Sequence, residues 1–327
     1  MIEFLSNSNW INPQIDFLML LQNIRTEHFE YLNRAFLSIT ILGEIWLPVL
    51  ICSIIYWCVD TKSGIYLCSM FGFQLFLSQF FKMLACVYRP WVLSDKIHPV
   101  ELAITAAKGY SFPSGHSSTA CSVLGGLAYI YGKNKAVCFS LIAVILSVGF
   151  SRMWLGVHTP QDVAAGLTLG LILVFWMNAL INWAEKNKNR YLYLIAIFDL
   201  LSFLALIYIC YFNNYPIDYM EGKMLVNPHS SIYSAVICIG FSIGTINGAF
   251  LCRRFTGFDS HKGSLKSKIT RGIIGAISVI ILLKFVIGYI YSNPVNFKLA
   301  LLISMFLGVF ITLIYPVIIL KYESMKK

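Results

Sequence analysis

The chain has 327 residues, of which 58% are hydrophobic and only 12% charged, with a formal net charge of +10. Soluble domains carry about 25% charged residues, so a soluble globular enzyme is excluded and an integral membrane protein of the all-α class, a polytopic transmembrane helical bundle, is expected. The basic residues are scattered in short loops between apolar runs rather than gathered in one patch, which argues for a topological role and against a nucleic-acid partner.

In chain order, residues 15–24 are apolar but too short to span, and Arg25, Glu27, His28 and Glu30 follow them, so an interfacial helix is expected. The start Met1-Ile2-Glu3 lacks the basic leader of a signal peptide. Apolar runs near the length that crosses a bilayer then fall at about 37–58, 64–82, 114–132, 136–155, 161–183, 191–212, 231–252, 272–292 and 299–320, giving about nine spans. Three regions are expected: an interfacial N-terminus (1–36), a catalytic membrane core (37–183) and additional helices (184–327). The nine cysteines stand singly within or at the ends of apolar runs, so they read as small hydrophobes and not as a disulfide framework or a zinc site.

Lysine and arginine set the orientation. Lys62, Lys133, Lys135, Lys186, Lys188, Arg190, the run from Arg253 to Arg271, Lys321, Lys326 and Lys327 share one side, expected to be cytoplasmic. The opposite, outer face receives three short polar groups. The first is Lys82 with Arg89-Pro90, the cations seven residues apart and so expected on one helix face. The second is Pro113-Ser114-Gly115-His116, which opens a span. Its backbone amides and helix dipole favour an anion, Gly115 allows close backbone approach, Ser114 adds a hydroxyl, and His116 is placed to protonate a leaving alkoxide.

The third group is Ser151-Arg152 with His158 and Asp162. Thr159 is suited to the N-cap and Pro160 to the first helical position, so Asp162 falls in the first turn and can reach back to His158. Taken alone, Asp162 could simply complete a Thr-x-x-Asp cap. Together the groups supply three cations, two histidines and a carboxylate, a set able to hold a phosphate and attack its phosphorus.

These spacings resemble the three signature motifs of the type 2 phosphatidic acid phosphatase (PAP2) superfamily, with every signature position matched, over roughly residues 37–183. The resemblance implies a metal-independent, cofactor-free hydrolase of a lipid phosphate or diphosphate in the cell membrane. His158 would be the nucleophile, His116 the acid and Asp162 the orienting carboxylate, with Lys82, Arg89, Ser114, Gly115 and Arg152 on the phosphate oxygens. Phosphatidic acid, phosphatidylglycerol phosphate and polyprenyl diphosphates all fit. A lipid phosphotransferase using the same intermediate is the alternative, followed by a non-enzymatic lipid binder or transporter. The four extra spans are open to several readings: lipid access, the surface of a homo-oligomer, or a second function. Within them, the depths of Asp199 and Lys284 are compatible with an intramembrane ion pair or with separate snorkelling or water-lined positions.

Overall fold

The computed structural model describes residues 8–212, 214–220, 223–292 and 296–325. Twelve longer helices carry the fold among these residues: α1 (Ser8–His28), α2 (Leu32–Thr40), α3 (Trp46–Ile54), α4 (Thr61–Ala85), α5 (Gly115–Tyr131), α6 (Lys135–Trp154), α7 (Pro160–Glu185), α8 (Arg190–Ile207), α9 (Pro228–Phe255), α10 (Leu265–Ser292), α11 (Phe297–Val309) and α12 (Tyr315–Ser324). Two-residue strands β1 (Tyr219–Met220) and β2 (Lys223–Met224) pair antiparallel between α8 and α9.

Each of the nine expected runs meets a helix, but not all reach spanning length. Seven helices of the described residues are long and apolar enough to cross a membrane, and an eighth span results if α2 and α3, bent by 47° at their junction, count as one. The run expected at 114–132 is α5, whose 17 residues reach only about 25 Å at roughly 1.5 Å per residue, short of a hydrocarbon core of about 30 Å.

The described residues form two compact units. One comprises Met1–Leu47, Leu77–Ile172 and Phe212–Ile232. In it, α1 is longer than its apolar run suggested. Its stripe Ile11, Ile15, Leu18 and Leu21 is buried against Ile97, Trp154, Leu155 and Val157, while Trp10 and Leu20 stay exposed. Small residues bring α5 and α7 together: a Cβ on Gly166 would lie 2.5 Å from the Ser114 carbonyl oxygen, and one on Gly170 would lie 2.6 Å from the Cys121 Cβ. Close helix approach of this kind substitutes for a hydrophobic driving force in lipid.

The other unit comprises Pro48–Phe76, Leu173–Tyr211 and Tyr233–Lys327. Trp57, fully buried, donates its indole N–H to the Ile311 carbonyl at 2.9 Å, and the Tyr56 hydroxyl reaches the Thr312 carbonyl at 3.1 Å. Both acceptors lie in the π-helical turn Phe310–Ile314. Helix α9 carries glycines at 240, 244 and 248, and α11 with the turn after it packs on that row: a Cβ at Gly244 would meet the Met305 carbonyl oxygen at 2.0 Å, and one at Gly248 the Thr312 hydroxyl at 2.2 Å. Asp199 and Lys284 do not form an ion pair among the described residues. Asp199 accepts from the Asn247 amide at 2.9 and 3.1 Å, and Lys284 is exposed. A neutral amide thus satisfies the carboxylate without burying a second charge.

Replacing Gly244 by leucine forces apart backbones that are already in contact, and is expected to destabilise the protein by about 1–3 kcal/mol or more. Gly288→Ala, where an added methyl meets no atom within 4 Å, should be tolerated. Thermal unfolding in detergent, followed by the monodisperse fraction, compares the two.

Candidate active site

All the residues singled out in the three polar groups lie in the first unit. Helix α4 ends at Ala85, three residues beyond Lys82, so Arg89 is not two helical turns further along the same helix. The chain instead turns at Cys86, with φ at 49°, and is extended at Arg89. Pro90 opens a short helix, Pro90–Leu93, where the missing N–H is no loss, and does not end one.

The two cations nonetheless converge, because both are held by the same stretch of backbone. Lys82 Nζ donates to the carbonyls of Tyr110 at 3.0 Å and Ser111 at 3.1 Å. Arg89 donates to those of Gly109 at 3.1 Å and Lys108 at 3.3 Å, and to Val157 at 2.9 Å. The stretch is fixed by the Ser111 amide on the Val87 carbonyl at 2.7 Å. Behind it the Tyr110 ring lies between Tyr88 and Tyr215, and the Tyr88 hydroxyl donates to Asp218 in the segment before β1.

Arg152, in the last turn of α6 and fully buried, donates through Nη1 to the Thr40 hydroxyl at 2.8 Å. Its Nε and Nη2, and Nε2 of His116, are enclosed without a hydrogen-bond partner among the described residues. Buried donors of a charged group in this condition call for an acceptor, and a guanidinium edge matches a phosphate or carboxylate oxygen pair.

Asp162 combines the two roles that its sequence position left open. Its Oδ2 accepts from the Thr159 amide at 2.9 Å, completing the cap, and stands 3.3 Å from Nδ1 of His158. The same oxygen accepts from the Ser111 hydroxyl at 2.6 Å, and Ser111 Oγ is 3.2 Å from that Nδ1. Arg89 Nη1 donates to Nε2 of His158 at 2.8 Å. This pattern describes a neutral imidazole with its proton on Nδ1, facing the carboxylate, and its lone pair on Nε2, facing the cations. Burial first, then the charges of Arg89, Lys82 and Arg152, hold the His158 pKa well below the usual histidine value. His116 is also within electrostatic range of His158.

Ser114 is the N-cap of α5. Its Oγ accepts from the Ser117 amide at 3.4 Å and the Ser117 hydroxyl at 2.9 Å, and its own amide donates to the Asp162 carbonyl at 2.9 Å, joining the second and third motifs directly. Its hydroxyl is thus engaged first as a cap, and the amides left for an anion are those of Gly115 and His116 at the start of the helix. A Cβ on Gly115 would meet only Ser78 Oγ, at 3.9 Å, so the space beside it is not filled by protein. Helix α1 braces the third motif from outside: Gln14 Oε1 accepts from the Gln161 amide at 2.9 Å, and Arg25 donates to the Trp154 carbonyl at 2.7 Å. The sequence reading missed Ser111 and Thr40. Ser111 lies just before the second motif, but nothing in the spacing marks Thr40.

Comparison with known proteins identifies the family. The family model described as PAP2 superfamily matches residues 63–186, and that described as PAP2 superfamily phosphatase, transmembrane extension, matches residues 236–327. Phosphatidylglycerophosphatase B of Bacillus subtilis (strain 168) is 31% identical over 171 residues, covering 49% of this chain and 78% of that protein. Undecaprenyl-diphosphatase BcrC of the same organism is 34% identical over 87 residues, covering 27% of this chain and 42% of its own. A crystal structure of a transmembrane PAP2 type phosphatidylglycerolphosphate phosphatase from Bacillus subtilis is 25% identical, covers 57% of this chain and 92% of that one, and superposes with a TM-score of 0.45. With a relative of this identity aligned over more than three quarters of its length, and the family's own model on the segment that holds the site, the chain belongs to the PAP2 superfamily.

Proposed function

We propose that this PAP2-type enzyme releases inorganic phosphate from a membrane lipid phosphate or diphosphate through a phosphohistidine on His158, without a metal. The observation that carries the reading is a buried site in which Lys82, Arg89 and Arg152 surround a neutral histidine and are held by uncharged oxygens, leaving Arg152 Nε and Nη2 unpartnered among the described residues. A phosphate dianion would supply the missing acceptors and the missing charge.

In the first step the Nε2 lone pair of His158 attacks phosphorus, and the bond from phosphorus to the lipid oxygen breaks. Asp162 and Ser111 hold the Nδ1 proton and stabilise the positive charge that grows on the ring. His116 gives its proton to the departing oxygen, its proton affinity having been raised by the arriving dianion. In the second step water attacks the phosphohistidine, His116 takes a proton from it, and phosphate leaves. Gly115 and the amides at the start of α5 would face the phosphoryl oxygens. The distribution of lysine and arginine supports a site on the outer face, at headgroup depth.

Purified protein in detergent with chelator present should release phosphate from lipid monophosphates or diphosphates, and His158→Ala should lower the rate by at least about 10³-fold. Abolition by chelator would contradict the metal-free reading. The pH profile carries a second expectation. Protonation of His158 removes its lone pair, and its pKa is depressed, so the acid limb of kcat/KM should lie below about pH 6.5. Arg89→Gln, by removing the largest of the neighbouring charges, should move that limb upward. Ser111→Ala, which loosens the hold on His158, should reduce kcat/KM by about 10- to 100-fold, with the acid limb still present.

A further inference from the structure

Helix α2 lies outside both segments that the family models match, yet one of its faces follows α6 into the site. Asn33 Oδ1 accepts from the Trp154 indole N–H at 3.1 Å, and the Phe36 ring packs on those of Phe150 and Trp154 with centroids 5.6 and 5.0 Å away. Further along, the Thr40 hydroxyl accepts from Arg152 Nη1 at 2.8 Å. Steps of three and four residues put these positions on a single helical face. The end of that face is fixed as well. The 3₁₀ turn Ile41–Gly43 follows Thr40 directly, and Gly43 stands so close to His116 that a Cβ would lie 2.7 Å from its carbonyl oxygen and 2.9 Å from its Cα. Thr40 and Arg152 are both buried, so bulk water does not compete for the bond between them.

The nitrogen that Thr40 holds decides what Arg152 presents. In a guanidinium, Nε and Nη2 share one edge with parallel N–H bonds, an edge that takes two oxygens of one phosphate, whereas Nη1 lies on the side toward Cδ. With Nη1 tied to Thr40, that two-donor edge is the one left without a partner among the described residues. The backbone fixes the other end of the side chain, because the Arg152 carbonyl accepts from the Val157 and His158 amides at 3.1 and 3.3 Å. A side chain anchored at both ends keeps the plane of its guanidinium fixed. The acceptor is also neutral. A carboxylate in its place would cancel the charge that an anion needs, whereas a hydroxyl satisfies the donor and leaves the charge in place. We propose that Thr40 is a positioning residue for phosphate binding, which locks Arg152 with its Nε–Nη2 edge toward the phosphoryl group. The assignment rests on the proposed function, since it takes the buried site to hold a phosphate, and it extends that site beyond the three motifs to α2.

The test measures hydrolysis of phosphatidic acid in detergent, and its inhibition by orthovanadate as a phosphate-shaped anion, for wild type, Thr40→Val, Thr40→Ser and Asn33→Ala. Thermal unfolding is followed for each, with His158→Ala as the blank. Thr40→Val keeps the shape and removes the acceptor. It should lower kcat/KM by about 10- to 100-fold and raise the vanadate inhibition constant, which does not depend on the folded fraction, by a similar factor. Thr40→Ser keeps the hydroxyl and should stay within about threefold of wild type in both. Asn33→Ala breaks another bond of the same helix face without touching Arg152, so it should lower the unfolding temperature and leave the inhibition constant within about twofold. An inhibition constant unchanged within about twofold in Thr40→Val overturns the assignment. So does one raised as far in Thr40→Ser or in Asn33→Ala, since either marks a packing role. Should Thr40→Val not fold, Thr40→Ala takes its place, and failure of both to fold overturns the assignment in favour of a structural role. If wild type is stabilised by vanadate but does not turn over, the same comparison is read from that stabilisation. Wild type that neither releases phosphate nor is stabilised by vanadate would instead bring down the phosphatase reading, and the assignment with it.

Discussion

Burial of positive charge without matching negative charge is the constraint around which the first unit is arranged. Arg89 and Arg152 are buried and Lys82 half-buried, their donors held by carbonyl oxygens, one hydroxyl and the His158 ring, and Asp162 is the carboxylate bonded within their midst. Partial charges of this kind satisfy hydrogen bonds but leave most of the cationic field in place. The field has two results. It holds His158 neutral, with the lone pair that nucleophilic attack needs, and it leaves an excess of positive charge for an anion to neutralise. Burial costs such a site stability while no anion is bound, and the structure supplies rigidity in compensation.

That rigidity comes from close backbone approach. Gly166 and Gly170 let α7 settle on α5, which places the Asp162 carbonyl against the Ser114 amide. Gly43 brings the α2–α3 junction onto His116, and Gly156, at φ +73°, turns the chain ahead of His158 with Pro99 packed 3.1 Å from where a Cβ would stand. Each contact trades a side chain for a shorter distance between segments, and a shift of about 1 Å in such a site costs on the order of 100-fold in rate. The second unit uses the same device in the Gly240, Gly244 and Gly248 row. Small-residue packing is thus how both units are held in a solvent that offers little hydrophobic drive.

The helical membrane class and the family were legible because composition and motif spacing are local properties of the chain. The cap at Thr159, Pro160 and Asp162 was legible for the same reason. What sequence reading misjudged involved a break in local regularity or a partner far along the chain. Lys82 and Arg89 were placed on one helix face, whereas the positive φ at Cys86 ends that regularity and the shared carbonyls of residues 108–111 reunite the pair. Asp199 was matched by depth to Lys284, but depth does not specify helix rotation, and Asn247 faces it instead. Thr40 and Ser111 belong to no spacing pattern, since each meets the site through tertiary contact alone. The four-residue spacing of the glycines in α9 was visible and points to close helix packing in hindsight, although spacing does not name the partner helix.

In the proposed mechanism, phosphorus becomes bonded to His158 during turnover. Its most direct test is a rapid quench in alkali, which preserves a phosphorus–nitrogen bond, after mixing the protein with a lipid substrate carrying labelled phosphate, followed by peptide mapping. Transient, acid-labile label is expected on the peptide containing His158, and none in His158→Ala. Phosphate release with no labelled protein at any time, or label on another residue, would contradict it.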